Sequence, residues 1–96
     1  MTVEKSSQAT VLRLSGRFGR KAAPAFEQAA AACVADHATA IVIDLTGVDY
    51  LSSPGLRAIT ALAARLEQQR GQVVVRGAKD AVRVTLSLAD FARQKS

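Results

Sequence analysis

The chain has 96 residues, of which 49% are hydrophobic, so its composition fits one small globular domain and excludes intrinsic disorder. No apolar run approaches the roughly 20 residues that a membrane helix needs. The polar first segment, Met1 to Thr10, lacks the apolar centre of a signal peptide. These features predict a cytoplasmic protein without membrane insertion. The single cysteine, Cys33, excludes an internal disulfide.

The formal net charge is +5, which is compatible with a nucleic acid, an anionic membrane surface or an acidic protein as partner. The basic residues are scattered, and the densest group is Arg17, Arg20 and Lys21. Aromatic residues make up only 4% of the chain, so platforms for base stacking are scarce. RNA-binding signatures and zinc patterns are absent from the sequence. We therefore expect no direct contact with nucleic acid, no metal and no cofactor.

Two short β-branched segments near the N-terminus, Thr2 to Lys5 and Thr10 to Leu14, predict paired strands joined by a polar turn. The next segment, Ala22 to Ala35, predicts a helix, with Pro24 near its start, where a missing N–H costs little. Its apolar residues recur at helical spacing and are expected to face the core. They are Phe26, Ala29, Ala30 and Cys33.

Strand and helix patterns continue to alternate in the second half. Ala40 to Leu45 has the length of a buried strand, and Gln72 to Val75 is a further β-branched strand. Between them, Pro54 to Arg70 predicts a long amphipathic helix with Gly71 as its C-terminal cap. Lys79 to Leu88 predicts a last short helix. The inward face of the long helix is expected to hold Leu56, Ile59, Leu62, Ala63 and Leu66.

The element order β-β-α-β-α-β-α predicts an α/β fold, in which a mixed sheet of about four strands packs against helices. The first two strands are expected to pair with each other, and the later strands to lie parallel. We expect a single domain over residues 1–96, with a core from about residue 3 to residue 91. Phe91 is expected behind the last helix, and residues 92–96 form a polar tail.

Residues 44–59, with the sequence DLTGVDYLSSPGLRAI, place two adjacent serines between the central strand and the long helix. Ser53 precedes Pro54, and a serine before a proline is a common helix start, so Ser53 is expected to cap the helix. The junction also has a functional interpretation, because sites collect at the carboxyl edge of parallel strands. A phosphate there would meet unpaired N–H groups and the positive end of the helix dipole.

Residues 41–59 read IVIDLTGVDYLSSPGLRAI, and this segment resembles the signature of the STAS family, specifically its anti-sigma-factor antagonists. The resemblance extends from about Val11 to Phe91 and includes the segment VVVRGAKDAVRVTLSLADF. It implies a single STAS-like domain. Ser53 corresponds to the serine that a partner anti-sigma kinase phosphorylates in this family, and Ser52 replaces an aspartate. Residues 16–21, GRFGRK, depart from the family pattern, because Arg17 and Gly19 replace an acidic pair. This replacement suggests a different or more acidic partner surface.

The resemblance implies a partner switch. The unphosphorylated protein binds an anti-sigma factor that is also a serine kinase, and this binding frees the sigma factor. Phosphorylation of Ser53 ends the binding, and a phosphatase restores it, so the protein is a substrate rather than an enzyme. The implied contact surface consists of the loop before the long helix and the outer face of that helix. Its candidate residues are Asp49, Ser52, Ser53, Pro54, Gly55, Arg57, Ala61 and Ala64.

Simpler structural roles remain open for several of these residues. Arg57 and Arg65 can be ordinary solvated charges, since single surface charges rarely contribute much energy. Asp44 and Asp49 flank the turn, and either can orient the loop or the phosphoacceptor. Asp49 is the better candidate for a turn residue, because aspartate readily bonds its own backbone.

The sequence also bears on other functions. A serine hydrolase is disfavoured, because the chain has one histidine, His37, and Ser53 lacks the G-x-S-x-G surroundings of a nucleophile elbow. The sequence leaves two alternatives open. Other single STAS domains act as accessory subunits of ABC-type lipid transporters and bind the ATPase subunit, and a chemosensory or biofilm pathway can use the same serine switch without a sigma factor. Neighbouring genes would distinguish the sigma switch from the transporter role: an anti-sigma kinase gene, or permease and ATPase genes.

Overall fold

The computed structural model of the chain describes residues 1–6 and 9–83, and they contain the predicted alternation of strands and helices. The elements are β1 (Thr2–Lys5), β2 (Thr10–Phe18), α1 (Ala23–Ala35), β3 (Ala40–Leu51), α2 (Ser53–Gln68) and β4 (Gln72–Arg76). The chain is helical again from Asp80 to Arg83, where the Arg83 N–H donates to the Lys79 carbonyl at 2.8 Å. The rest of the predicted last helix, Phe91 and the tail at 92–96 lie outside the described residues.

The four strands form one mixed sheet in the order β1-β2-β3-β4. β1 pairs antiparallel with β2, whereas β2 with β3 and β3 with β4 are parallel pairs. This arrangement confirms the predicted α/β fold with a mixed four-stranded sheet.

Both central strands extend further than the sequence predicted. β2 continues to Phe18 and β3 to Leu51, through two register shifts, the second of them between Gly16 and Arg17. The sequence ends these strands early because Ser15-Gly16 and Thr46-Gly47 resemble turns. Instead Gly16, with φ 73°, accommodates an irregularity in the ladder, as glycines commonly do at β-bulges. The extension places Arg17 opposite Tyr50, beside the start of α2.

One face of the sheet and the two long helices share a single hydrophobic core. Buried residues alternate along β2 and β3. Leu12, Ile43 and Val75 are paired neighbours on three adjacent strands and form one buried row across the sheet. In α1, Phe26 lies against Phe18 with ring centroids 5.2 Å apart in an edge-on arrangement. The expected inward residues of both helices are buried or half-buried, which confirms the predicted faces.

The two helices end in the same way. Arg70 follows α2 with φ 62°, and the N–H groups of Arg70 and Gly71 donate to the carbonyls of Glu67 and Leu66 at 3.0 and 2.7 Å. This is a Schellman motif, and His37 occupies the equivalent left-handed position after α1. The prediction that Gly71 is the left-handed cap is therefore wrong. Gly71 is needed for close packing, because a Cβ there would lie 2.8 Å from Leu66 Cγ.

Candidate functional site

The two serines lie where β3 ends at Leu51 and α2 begins at Ser53. This is the carboxyl edge of the parallel part of the sheet, the edge at which ligand and interaction sites of α/β folds are usually found. The sequence placed the junction correctly, but the structure assigns the two serines different roles.

Ser52, and not Ser53, caps α2. Ser52 has extended backbone angles, φ −90° and ψ 171°, and its Oγ accepts the Gly55 N–H at 3.4 Å. Ser52 is also held by the end of β2, since its N–H donates to the Phe18 carbonyl at 3.1 Å and its hydroxyl at 3.4 Å. Pro54 has no N–H to offer a cap, so Gly55 supplies the N–H that the capping oxygen accepts. The prediction that Ser53 is the cap is wrong.

Ser53 is the first residue of α2 and is exposed. Its hydroxyl makes no hydrogen bond to any residue within 1–6 and 9–83. It therefore remains available to an enzyme or a partner, while Ser52 maintains the local structure.

The first turn of α2 offers fewer free N–H groups than expected. Pro54 has none, Gly55 N–H is bound by Ser52 Oγ, and Leu56 N–H donates to the Ser52 carbonyl at 2.8 Å. An anion on Ser53 would therefore be favoured mainly by the helix dipole and by nearby cations rather than by a set of unpaired N–H groups.

Pro54 and Gly55 have different environments. Pro54 is half-buried at the rim of two neighbouring recesses. Gly55 is buried, and a Cβ at this position would collide with the Phe18 carbonyl oxygen and lie 3.1 Å from Leu51 Cδ1. Gly55 thus presents no surface to a partner, and its role is to let α2 pack closely against the end of β2.

The remaining candidates on α2 form one exposed stripe. Arg57, Ala61 and Ala64 are all exposed. Together with Ser53 they recur every three or four residues, so they lie on the same side of the helix. The structure therefore brings this group together on a continuous surface.

The two aspartates of the preceding strand are engaged away from Ser53. Asp44 accepts the Thr46 N–H at 2.9 Å and lies 3.3 Å from Arg76 Nε. Hydrogen bonds from Thr46, supported by Arg76, lower the pKa of Asp44 to about 2. Asp49 lies within β3 rather than in a turn, and its exposed carboxylate pairs with Lys79 at 2.6 Å. Asp44 thus binds the backbone of β3 at Thr46, within the strand.

The sequence did not identify Arg17 and Tyr50 as site residues. The Arg17 guanidinium lies over the Tyr50 ring at 4.7 Å from its centroid, and Tyr50 is 48% exposed. Both line a cleft of about 630 Å³ together with Gly19, Arg20, Lys21, Ser52 and Pro54. A sequence prediction that continued β2 beyond Gly16 and β3 beyond Gly47 would have placed Arg17 beside Tyr50.

The part of the chain that the structure describes offers neither a membrane-spanning helix nor a metal-binding cluster. No helix within 1–6 and 9–83 is long and apolar enough to cross a membrane. The same residues contain no cluster of three or more His, Cys, Asp or Glu side chains able to hold a metal ion.

The different roles of the two serines predict different effects on stability. Ser52→Ala removes the cap and the hydroxyl contact with Phe18, and it should lower the free energy of unfolding by about 1 kcal/mol. Ser53→Ala removes no contact among the described residues and should change it by less than about 0.5 kcal/mol. Urea unfolding of both variants tests this. Equal losses would contradict the assignment of the cap.

Comparison with known families identifies the class of protein. The family profile described as "Mlab, STAS domain" matches residues 1–93. The protein therefore belongs to the STAS domain family, as the segment around the serines indicated.

Individual relatives include anti-sigma factor antagonists. The chain is 37% identical over 78 residues to the anti-sigma-F factor antagonist RsfB of Mycobacterium tuberculosis, a match covering 80% of this chain and 64% of RsfB. It is 31% identical over 91 residues to BtrV of Bordetella bronchiseptica, covering 95% of this chain and 78% of BtrV.

Solved structures have the same fold. An anti-sigma factor antagonist from Mycobacterium paratuberculosis superposes with a TM-score of 0.82 at 36% identity, over 98% of this chain and 80% of the other. SpoIIAA of Bacillus in its phosphorylated form superposes with a TM-score of 0.83 over 99% of this chain and 87% of the other. Its identity is 15%, so this similarity concerns the fold alone.

Proposed function

We propose that the protein is an anti-sigma factor antagonist in a partner-switching pathway of the cytoplasm. The unmodified protein binds an anti-sigma factor that is also a serine kinase, and the sigma factor is released. Phosphorylation of Ser53 ends this binding, and a phosphatase restores it. The protein is thus a substrate of two enzymes and has no catalytic task of its own.

The observation that supports this proposal most directly is the contrast between the two serines. The Ser53 hydroxyl is unbonded among the described residues on an exposed first turn, whereas Ser52 is held by Gly55 and Phe18. Modification of Ser53 therefore removes no contact on which the fold depends. The anti-sigma factor antagonists among the relatives support the same role.

The contact surface for the partner is proposed to be the exposed stripe of α2 and the preceding segment from Asp49 to Ser52. Ser53, Arg57, Ala61 and Ala64 are exposed along one side of α2, and small side chains there allow a partner to approach the helix closely. A phosphate on Ser53 would add about −1.5 to −2 charges at the end of this stripe. Such a charge changes the electrostatics of the contact without requiring α2 to move.

A kinase assay tests the proposal. The protein is incubated with ATP and the anti-sigma kinase encoded nearest its gene, and the intact mass is measured. The wild type and Ser52→Ala should each gain one phosphate, whereas Ser53→Ala should gain none. Ser52→Ala is the matched control because it removes the neighbouring hydroxyl. Modification of Ser53→Ala to the wild-type extent would refute the assignment of the phosphoacceptor.

The same preparation distinguishes the transporter alternative. If the wild type stays unmodified and copurifies with the ATPase subunit of an ABC transporter, the protein is an accessory subunit and the switch proposal is wrong. Phosphorylation of Ser53 without such copurification supports the switch.

A further inference from the structure

The cations of the described residues fall into two groups. Lys5, Arg13, Arg76, Lys79 and Arg83 each pair with a carboxylate. The other Lys and Arg side chains within residues 1–6 and 9–83 are exposed and have no carboxylate partner there. They are Arg17, Arg20, Lys21, Arg57, Arg65 and Arg70.

Half of these unpaired cations lie at one place. Arg17, Arg20 and Lys21 line the cleft of about 630 Å³ that contains Tyr50 and reaches Ser52, and no carboxylate is among its lining residues. We call this site the basic cleft. Arg20 and Arg57 also line the groove between α1 and α2, which meets the basic cleft at Pro54 and includes Glu27.

The chemistry of the basic cleft indicates its ligand. Uncompensated cations in a recess create a positive potential that attracts and orients anionic groups. A guanidinium also binds carboxylates in a planar, two-point geometry. Tyr50 adds an exposed ring held in place by Arg17, and Tyr and Arg are among the residue types enriched where interfaces concentrate their binding energy.

We propose that the basic cleft binds an acidic segment of the protein partner. Arg17 and Arg20 bind its carboxylates, and the Tyr50 ring packs against its side chains. The partner's identity as an anti-sigma factor rests on the proposed function. The acidic character of the segment follows from the unpaired cations. Ser53 begins the helix beside this cleft, so its phosphate would weaken the potential that attracts the acidic segment.

The test uses a synthetic peptide rich in Asp and Glu and follows the amide NMR signals of the full chain at low salt. The largest shifts are expected at Arg17, Gly19 and Tyr50. Arg17→Glu/Arg20→Glu should bind the peptide at least about tenfold more weakly. The matched control, Arg65→Glu/Arg70→Glu, changes the net charge equally and should keep the affinity within about twofold. Circular dichroism and thermal unfolding verify that both double variants are folded.

Tyr50→Ala provides a second variant that leaves the charge unchanged, and it should also weaken peptide binding. Equal losses in the two charge-reversed variants would overturn the proposal, because binding would then depend on net charge alone. Absence of shifts at low salt would overturn it as well. Tighter binding of anionic lipid vesicles or of an RNA oligonucleotide at the same residues would assign the cleft to a different class of ligand.

This experiment is independent of the kinase assay. Phosphorylation of Ser53 without peptide binding would refute the cleft proposal and leave the switch intact. Peptide binding without modification of Ser53 would support an acidic ligand and refute the switch.

Discussion

Gly55→Ala should lower the free energy of unfolding by about 1–3 kcal/mol, the usual cost of forcing an extra carbon into a packed core. A methyl group at this position would collide with the Phe18 carbonyl oxygen and approach Leu51 Cδ1 at 3.1 Å. The obstacle includes backbone, so it cannot be relieved by rotation of a side chain. At an ordinary helical position, replacing glycine with alanine instead raises the free energy of unfolding by up to about 1 kcal/mol, so the expected change here has the opposite sign.

Urea unfolding measures the effect, and Ser53→Ala, an exposed change two residues earlier, serves as the control. If Gly55→Ala proves as stable as the wild type, the close contact between α2 and the end of β2 is not as described. The contact matters for function because Phe18 also binds Ser52. The same packing therefore determines where Ser53 lies relative to the basic cleft.

The sequence predicted those parts of the fold that depend on local periodicity. The apolar spacing in α1 and α2 identified their buried faces, and the short β-branched runs located all four strands. Such patterns are readable because a helix or a strand repeats its burial within a few residues.

The strand ends could not be predicted, because they depend on pairing with a distant strand. Gly16 and Gly47 resemble turn residues in isolation, yet both lie inside the β2–β3 ladder. Only that pairing brings Arg17 next to Tyr50 and creates the basic cleft. A long-range register thus produced the part of the candidate site that sequence patterns missed.

The choice between the two serines likewise depended on tertiary structure. Both precede the helix closely, and capping statistics favour serine in either place. Ser52 is bound to the Phe18 carbonyl, and these contacts hold its backbone in the extended conformation of an N-cap. Ser53 is therefore the first helical residue. This assignment supports the proposed role of Ser53, because the capping function is fulfilled by its neighbour.

Phosphorylation of Ser53 should weaken partner binding by about 100-fold or more and leave the fold intact. Stability should be preserved, because a negative charge at a helix start is favourable by about 0.3–1 kcal/mol. Binding should suffer because the phosphate lies one turn from Arg57 and beside the basic cleft, where it would oppose an acidic partner segment. Placing an unmatched charge in an interface commonly costs about 2–5 kcal/mol.

The most direct test of the account is a calorimetric titration of the anti-sigma kinase with two forms of the protein, unmodified and phosphorylated on Ser53. Ser53→Ala serves as the control and should bind like the unmodified form, since it loses only an exposed hydroxyl. The account predicts tight binding of the unmodified protein and loss of at least about 100-fold in affinity on phosphorylation. Equal affinity of the two forms would contradict it.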